Sequence, residues 1–196
     1  NTTQVLEWLG EGTVPLGTVE GLPRAPRMRL EPFLQDELLP VVASAAPAEL
    51  FRVECAEDLA RVPIVWREVG SGSRAVVERA LHLAGARRPP HPRDLAFGSN
   101  DAVRTAVSLG LGVAFLSKWT IQGELASGLL VPLDLPDLRI QRSFAWAIPA
   151  GHVGGIAGEF LEAAQRMAAE WWPSLGIAPK RRGASRAPRR RSDPAA

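Results

Sequence analysis

Twice in this chain a short apolar run ends in a small polar turn and continues into a pattern with helical spacing. The first joint is VWREVGSGSRA at residues 65–75, and the second is FGSND at residues 97–101. The spacing predicts helices that begin at Arg74 and Asp101, and a further apolar run follows at 113–116. Strand, helix, strand, helix order with short links indicates a parallel sheet with helices on its faces, and hence an α/β fold.

The same two turns contain the groups of an anion-binding site. The first N–H groups of a helix lack intrahelical partners, and the helix dipole favours negative charge at that end. Gly72 lets the backbone approach a ligand, while Ser71 and Ser73 can cap the helix or donate hydroxyl groups. Ser99 and Asn100 occupy the corresponding positions at the second joint, in the turn that precedes the helix. The alternative, that these residues only turn and cap the chain, remains open at both joints.

The rest of the chain has weaker patterns. Pro40 interrupts an almost continuous apolar run, which favours an edge strand or a crossing point over a central strand. Ser117 is expected to cap a helix that continues to Leu125. The other predicted elements are a helix capped by Thr2 or Thr3 that ends at Gly10, extended segments at 14–19, 30–34, 37–43, 129–135 and 140–148, and a last helix at 156–172.

Composition limits where the chain can function. It has no run of about 20 apolar residues and no signal peptide at its start, which predicts a cytoplasmic protein that does not span a membrane. Cys55 is the only cysteine, so an internal disulfide is excluded and a reducing compartment is indicated. Because the chain begins with Asn1 and not with methionine, we expect a fragment whose N-terminal part is absent.

Charge is distributed unevenly along the chain. Residues 177–196 contain seven basic side chains and one acidic one, and this basic tail is rich in Pro, Gly, Ser and Arg, which predicts disorder. It is either a solvated extension or a nucleic-acid-binding arm. Residues 1–176 contain 16 basic and 20 acidic residues, so composition predicts no basic face there.

No motif supports catalysis or a bound cofactor. His82, His91 and His152 lack the spacing of metal ligands, and Cys55 has only Arg52 nearby in sequence as an activating cation. No GxSxG motif, Walker loop or complete GxGxxG motif is present. The sequence therefore predicts a protein that is not an enzyme and that holds neither a metal nor a cofactor.

The order of several blocks resembles a known family. NTTQVLEWLGEG, LGTVEG, DELLPVV, REVGSGSR, GSNDAVRTAVSLGLGVAFLS and GLLVPLDL are similar to the effector-sensing domain of LysR-type transcriptional regulators. The resemblance covers residues 1–172. The VEG and GSGSR blocks are most similar to the branch that contains regulators of carbon fixation and sulfur assimilation.

The resemblance implies a two-lobed fold like that of type II periplasmic binding proteins, with a mostly parallel sheet flanked by helices in each lobe. The effector-binding domain would occupy residues 1–176, with a first lobe of about 1–42 and 145–172 and a second lobe of about 43–138. Two crossing segments would form the hinge. A winged helix-turn-helix, a linker helix and the first strand and helix of the sensing domain would lie outside this chain.

The resemblance also implies a site for a small anionic metabolite between the lobes. The expected effector-binding residues are Thr2, Glu20, Ser71, Gly72, Ser73, Ser99 and Asn100. Glu20 would meet a ligand ammonium group, pair with an arginine or face solvent at the rim. Arg67 is a candidate cation, although a surface pair with Glu68 is the favoured interpretation.

The resemblance also implies a homodimer or homotetramer that contacts DNA through the missing N-terminal domain. Two alternatives stay open. One is a solute-binding protein of a transport system with the same fold. The other is a remnant kept only for oligomerisation, through the helices predicted at Thr2–Gly10 and 101–109.

Overall fold

A computed structural model describes residues 1–151 and 153–171 of the chain. The predicted basic tail lies outside the described residues. The strands are β1 Gly17–Glu20, β2 Met28–Ala43, β3 Ile64–Arg67, β4 Leu95–Phe97, β5 Val113–Ser117, β6 Leu130–Pro132 and β7 Ile140–Pro149. The α-helices are α1 Thr2–Gly10, α2 Gly72–Leu83, α3 Asn100–Ser108, α4 Gln122–Ala126 and α5 Gly155–Trp171. Two 3-10 helices occupy Ala48–Arg52 and Ala56–Arg61. No helix of the described part is long and apolar enough to cross a membrane.

The strands form one mixed sheet in the order β1-β7-β2-β5-β3-β4, with β6 paired to β2. In the second lobe β3 runs parallel to β4 and β5, as the repeated strand-to-helix joints predict. Pairing in the first lobe differs from the expected parallel arrangement. There β1 and β2 both pair with β7 in antiparallel fashion, because β7 returns from the second lobe in the opposite direction.

Two long strands connect the lobes. β2 and β7 pair from Met28 opposite Pro149 to Leu38 opposite Ile140, with a register shift between Pro32 and Leu34. The two extended segments predicted at 30–34 and 37–43 are therefore one strand with an irregularity.

Pro40 lies inside the sheet and not at its edge. On one side it pairs with Phe115 of β5. On the other side β7 pairs with β2 only as far as Leu38, and β6 begins to pair with it at Val41. Because Pro40 falls in this gap, its missing N–H group leaves no ladder hydrogen bond unmade.

Three clusters of buried side chains form the core. The first lobe packs Leu9 of α1 against Val19, Ala145 and Ala147. The second lobe has one cluster on each face of its sheet. One contains Leu50, Leu59, Val77, Leu81 and Phe115, and the other contains Val65, Val103, Val107, Leu116 and Ile121.

Two helix caps differ from the sequence prediction. The side chain of Asn1, and not of Thr2 or Thr3, caps α1 by accepting a hydrogen bond from the Gln4 N–H group. Ser117 is the last residue of β5, and α4 begins only at Gln122. Ser117 is retained in the strand because its hydroxyl donates to the buried carboxylate of Asp36, 2.8 Å away.

A buried ion pair fixes the proline-rich connector before β4. Arg88 donates to both carboxylate oxygens of Asp94, at 2.7 and 2.6 Å, and its guanidinium lies 5.5 Å from the centre of the Trp66 ring. Asp94 also accepts hydrogen bonds from the backbone N–H groups of Ile64 and His91. Burial alone would raise the pKa of the Asp94 carboxyl, but the hydrogen bonds from Arg88 and the two amides outweigh it and lower the pKa to about 2.

We expect D94N to lower the free energy of unfolding at pH 7 by about 1–2 kcal/mol, after allowance for screening by solvent. A depressed carboxyl pKa stabilises the fold above the unfolded value of 3.8, and this stability is lost as the pH falls through the folded value of about 2. Urea denaturation between pH 2 and pH 7 should therefore show a steeper acid loss in wild type than in D94N. D101N is the control, since the Asp101 side chain is 85% exposed. Parallel pH profiles for wild type and D94N would contradict this assignment.

Candidate functional site

Three of the residues predicted to bind the effector meet where the lobes touch. Thr2 is the first residue of α1, Glu20 is the last residue of β1, and Gly72 is the first residue of α2. A Cβ atom added to Gly72 would lie 2.5 Å from the Glu20 carbonyl oxygen and 2.5 Å from the Thr2 Oγ1 atom. Only glycine permits this approach, because real Cβ atoms do not make such short contacts.

Two cavities adjoin this contact between the lobes. One has a volume of about 670 Å³ and lies beside the loop at 21–28, and the other has a volume of about 170 Å³. Both are lined by Thr2, Glu20, Ser71 and Gly72.

Ser71 presents a hydroxyl group that nothing in the described part of the chain uses. Its side chain is 2% exposed, and its Oγ atom has no hydrogen-bond partner. It holds the N-cap position of α2 without making a side-chain cap. Buried hydroxyl groups are almost always paired, because an unpaired one costs about 1–3 kcal/mol. The Ser71 hydroxyl is therefore an unsatisfied hydrogen-bonding group, and it belongs to a residue that lines both cavities.

Glu20 pairs with an arginine, which is one of the three outcomes expected from the sequence. Nη1 of Arg142 donates to Glu20 Oε2 at 2.6 Å and to Ser73 Oγ at 2.8 Å, and the Ser73 hydroxyl donates to Glu20 Oε2. Nε of Arg142 donates to Asp36 Oδ2 at 2.8 Å. The Arg142 side chain is 2% exposed and the Asp36 side chain is 0% exposed, so this ion pair is fully buried in the strands that connect the lobes.

Sequence reasoning missed Arg142 and Asp36. The two residues are directly opposite each other in the register of β2 and β7, but they are 106 residues apart in the chain. Each lies in a short polar stretch, QDE at 35–37 and QRS at 141–143, so the sequence does not set it apart from its neighbours. A buried charge demands a partner, but the sequence does not specify which one.

The second joint contributes differently from the first. Ser99 is exposed and caps α3 by accepting a hydrogen bond from the Ala102 N–H group, and it lines neither cavity. Oδ1 of Asn100 accepts a hydrogen bond of 2.6 Å from Nη1 of Arg67. The structure therefore brings Asn100 to the site through Arg67 and leaves Ser99 at the surface.

Arg67 pairs with Glu68, as its favoured interpretation states, but the pair is not a surface one. The Arg67 side chain is 14% exposed, donates to both oxygens of Glu68 at 2.8 and 3.1 Å, and lines the smaller cavity. Burial would raise the pKa of the Glu68 carboxyl, but hydrogen bonds from Arg67, its own backbone N–H and Asn1 keep it below its usual value. Asn1 also ties Glu68 to the first lobe through a hydrogen bond of 3.2 Å.

The described residues contain no group of three or more His, Cys, Asp or Glu side chains arranged to hold a metal ion. The polar groups that line the two cavities are hydroxyls, backbone amides, carboxylates and guanidinium groups. The charged residues among them are Glu7, Glu20, Arg24, Arg27, Arg67, Arg74, Glu78 and Arg79. Such groups bind and orient a small polar molecule.

Comparison with known proteins gives one family. The model of the family described as LysR substrate binding domain matches residues 1–169. The HTH-type transcriptional regulator CbbR of Rhodospirillum rubrum is 34% identical over 171 residues, which are 85% of this chain and 55% of that protein. The phosphonates import ATP-binding protein PhnC of Anaeromyxobacter dehalogenans is 34% identical over 158 residues, which are 79% of this chain and 31% of that protein.

Solved structures support the same fold. The regulatory domain of CcmR from Synechocystis PCC6803, in complex with 2-PG, matches with a TM-score of 0.71 and 26% identity. The match covers 86% of this chain and 80% of that one. This chain spans about half the length of the curated regulators that it matches.

Proposed function

This chain belongs to the LysR substrate-binding domain family, whose members are parts of transcription regulators and not enzymes, and we propose that it senses a small anionic metabolite bound between its two lobes. The single observation that carries the proposal is the buried, unpartnered Ser71 hydroxyl at the contact between the lobes. A ligand that bonds to Ser71 and to Thr2 across the cleft would stabilise one relative orientation of the lobes. Such a ligand shifts a conformational equilibrium only by its difference in affinity for the two states.

The anionic character of the ligand is supported by the electrostatics of the cleft. The N-terminus of α2 faces the contact between the lobes, and Arg67 lines the smaller cavity. Unpaired backbone N–H groups and the helix dipole favour a carboxylate or a phosphate, whereas the Arg67 guanidinium is already paired with Glu68. The CcmR regulatory domain forms a complex with 2-PG, which makes 2-PG the first compound to test on this chain.

The wider role follows from the family as part of the same proposal. The protein is cytoplasmic and forms a homodimer or homotetramer, and it acts on DNA through a domain outside this chain. The effector-binding domain comprises residues 1–176. Its first lobe comprises about residues 1–42 and 145–172, and its second lobe comprises about residues 43–138.

We expect S71A to weaken ligand binding about tenfold while the free protein keeps its stability or gains up to about 1 kcal/mol. Removing a buried hydroxyl without a partner relieves a desolvation cost in the free protein, but in the complex it removes a hydrogen bond. Isothermal titration calorimetry with 2-PG and urea denaturation measure the two quantities. S127A is the control, because the Ser127 hydroxyl is exposed and bonds only to the Glu124 carbonyl. Equal affinities of S71A and S127A for the ligand would contradict ligand binding by the Ser71 hydroxyl.

One comparison favours a second candidate function, a ligand-binding part of a transport system. The matched relative PhnC is named as a phosphonates import ATP-binding protein. The coding sequence upstream of Asn1 separates the two candidates, because a helix-turn-helix there supports the regulator and an export signal or transport domain supports the alternative.

A further inference from the structure

The carboxylate of Glu20 lies beside the first turn of α2. It accepts hydrogen bonds from the Ser73 hydroxyl and from Nη1 of Arg142. Ser73 is 5% exposed and Arg142 is 5% exposed, so both donors are buried. Gly72 brings the first turn of α2 against the Glu20 backbone.

The charges around this carboxylate are unequal. Arg142 carries one positive charge, and the fully buried carboxylate of Asp36 already neutralises it through the contact at Nε. Glu20 is therefore an additional negative charge, held by a hydroxyl group, a guanidinium N–H and the positive end of the α2 dipole. The unpartnered Ser71 hydroxyl is buried at the same helix end and lines the same cavities as Glu20.

We propose that Ser73, Arg142 and the first turn of α2 form a subsite for a carboxylate or phosphate group, and that Glu20 fills this subsite in the present structure. The inference rests on the proposed function, since the anionic group of the effector would replace Glu20. The Glu20 carboxylate then competes with the anionic group of the effector for this subsite. Uncharged analogues of the effector are excluded because they cannot displace Glu20.

Removing the Glu20 side chain should convert the subsite into one that accepts free anions. We expect sodium acetate and sodium phosphate to raise the thermal midpoint of E20A saturably, by about 4 °C at ten times the dissociation constant, relative to sodium chloride at equal ionic strength. Wild type should show no such rise with acetate. Acetate and phosphate are separate arms of the titration, and the larger rise identifies the preferred group.

Two further variants keep the test decisive. E20A/S73A should lose the response, because the hydroxyl donor is gone, and E11A should show none, because Glu11 lies at the exposed end of α1 and lines neither cavity. If E20A is unfolded without anions, the titration is followed as recovery of the helical circular dichroism signal. Equal responses of E20A and E20A/S73A, or no response of E20A beyond that to chloride, would overturn the subsite. Wild-type binding of 2-PG in parallel shows whether the proposed function stands without it.

Discussion

Replacing Arg142 with methionine is expected to lower the free energy of unfolding by about 3–5 kcal/mol. The substitution leaves the Asp36 carboxylate, with a side chain that is 0% exposed, without its cation. A buried ion pair adds little net stability to the fold. Removing one partner, however, leaves the other as an unpaired buried charge, which lowers the free energy of unfolding strongly. Chemical denaturation of R142M against wild type measures the effect.

A double-mutant cycle separates the charge effect from the loss of packing. R142M/D36N should recover about half or more of the loss, because the neutral amide no longer needs a cation. The matched control is R139M, since the Arg139 side chain is 77% exposed and pairs with Glu37 at 3.2 Å. R139M should change stability by less than about 0.5 kcal/mol. If R142M and R139M behave alike, or if D36N brings no recovery, the buried pair does not connect the strands as described.

Replacing Gly72 with alanine is expected to weaken ligand binding by about 5- to 150-fold. The new methyl group would lie 2.5 Å from the Glu20 carbonyl oxygen, which is a backbone atom and cannot rotate away as a side chain can. The lobes must separate to accommodate it, and overpacking of this kind costs about 1–3 kcal/mol against the closed arrangement. Calorimetric titration with 2-PG and small-angle scattering of the free protein measure the affinity and the change in shape.

Gly123 offers a matched control on another helix. It lies in α4, and a Cβ atom added there would meet nothing within 4 Å. G123A should keep full ligand affinity and gain up to about 1 kcal/mol of stability from the better helix propensity of alanine. Unchanged affinity in G72A would show that the contact between the lobes has no part in binding.

The fold of the second lobe could be predicted because its signals are local. The turns at 70–73 and 98–100 lie between an apolar run and a helical pattern, and a few adjacent residues determine both. The pattern alone left Ser71 and Gly72 open between a turn-and-cap role and a ligand site, and the family resemblance then selected them as ligand contacts. The structure places both at the contact between the lobes. Ser99, chosen by the same reasoning, has a capping role at the surface instead.

The interior of the connecting strands could not be predicted, because it depends on register. Asp36 meets Arg142 only because β2 and β7 pair from Met28 to Leu38, and Ser117 reaches Asp36 across 81 residues of sequence. No local pattern encodes these separations. The same long-range network determined the outcome for Glu20, for which the sequence left three alternatives.

The central claim is that a small anionic molecule binds where α2 meets α1 and β1. Two-dimensional amide NMR of the chain, titrated with a panel of small carboxylates and phosphates that includes 2-PG, tests it most directly. The account predicts saturable shifts of the amide signals of residues 70–73 and of Thr2 for at least one compound. Binding that shifts only signals remote from these residues, or no binding by any member of the panel, would contradict it.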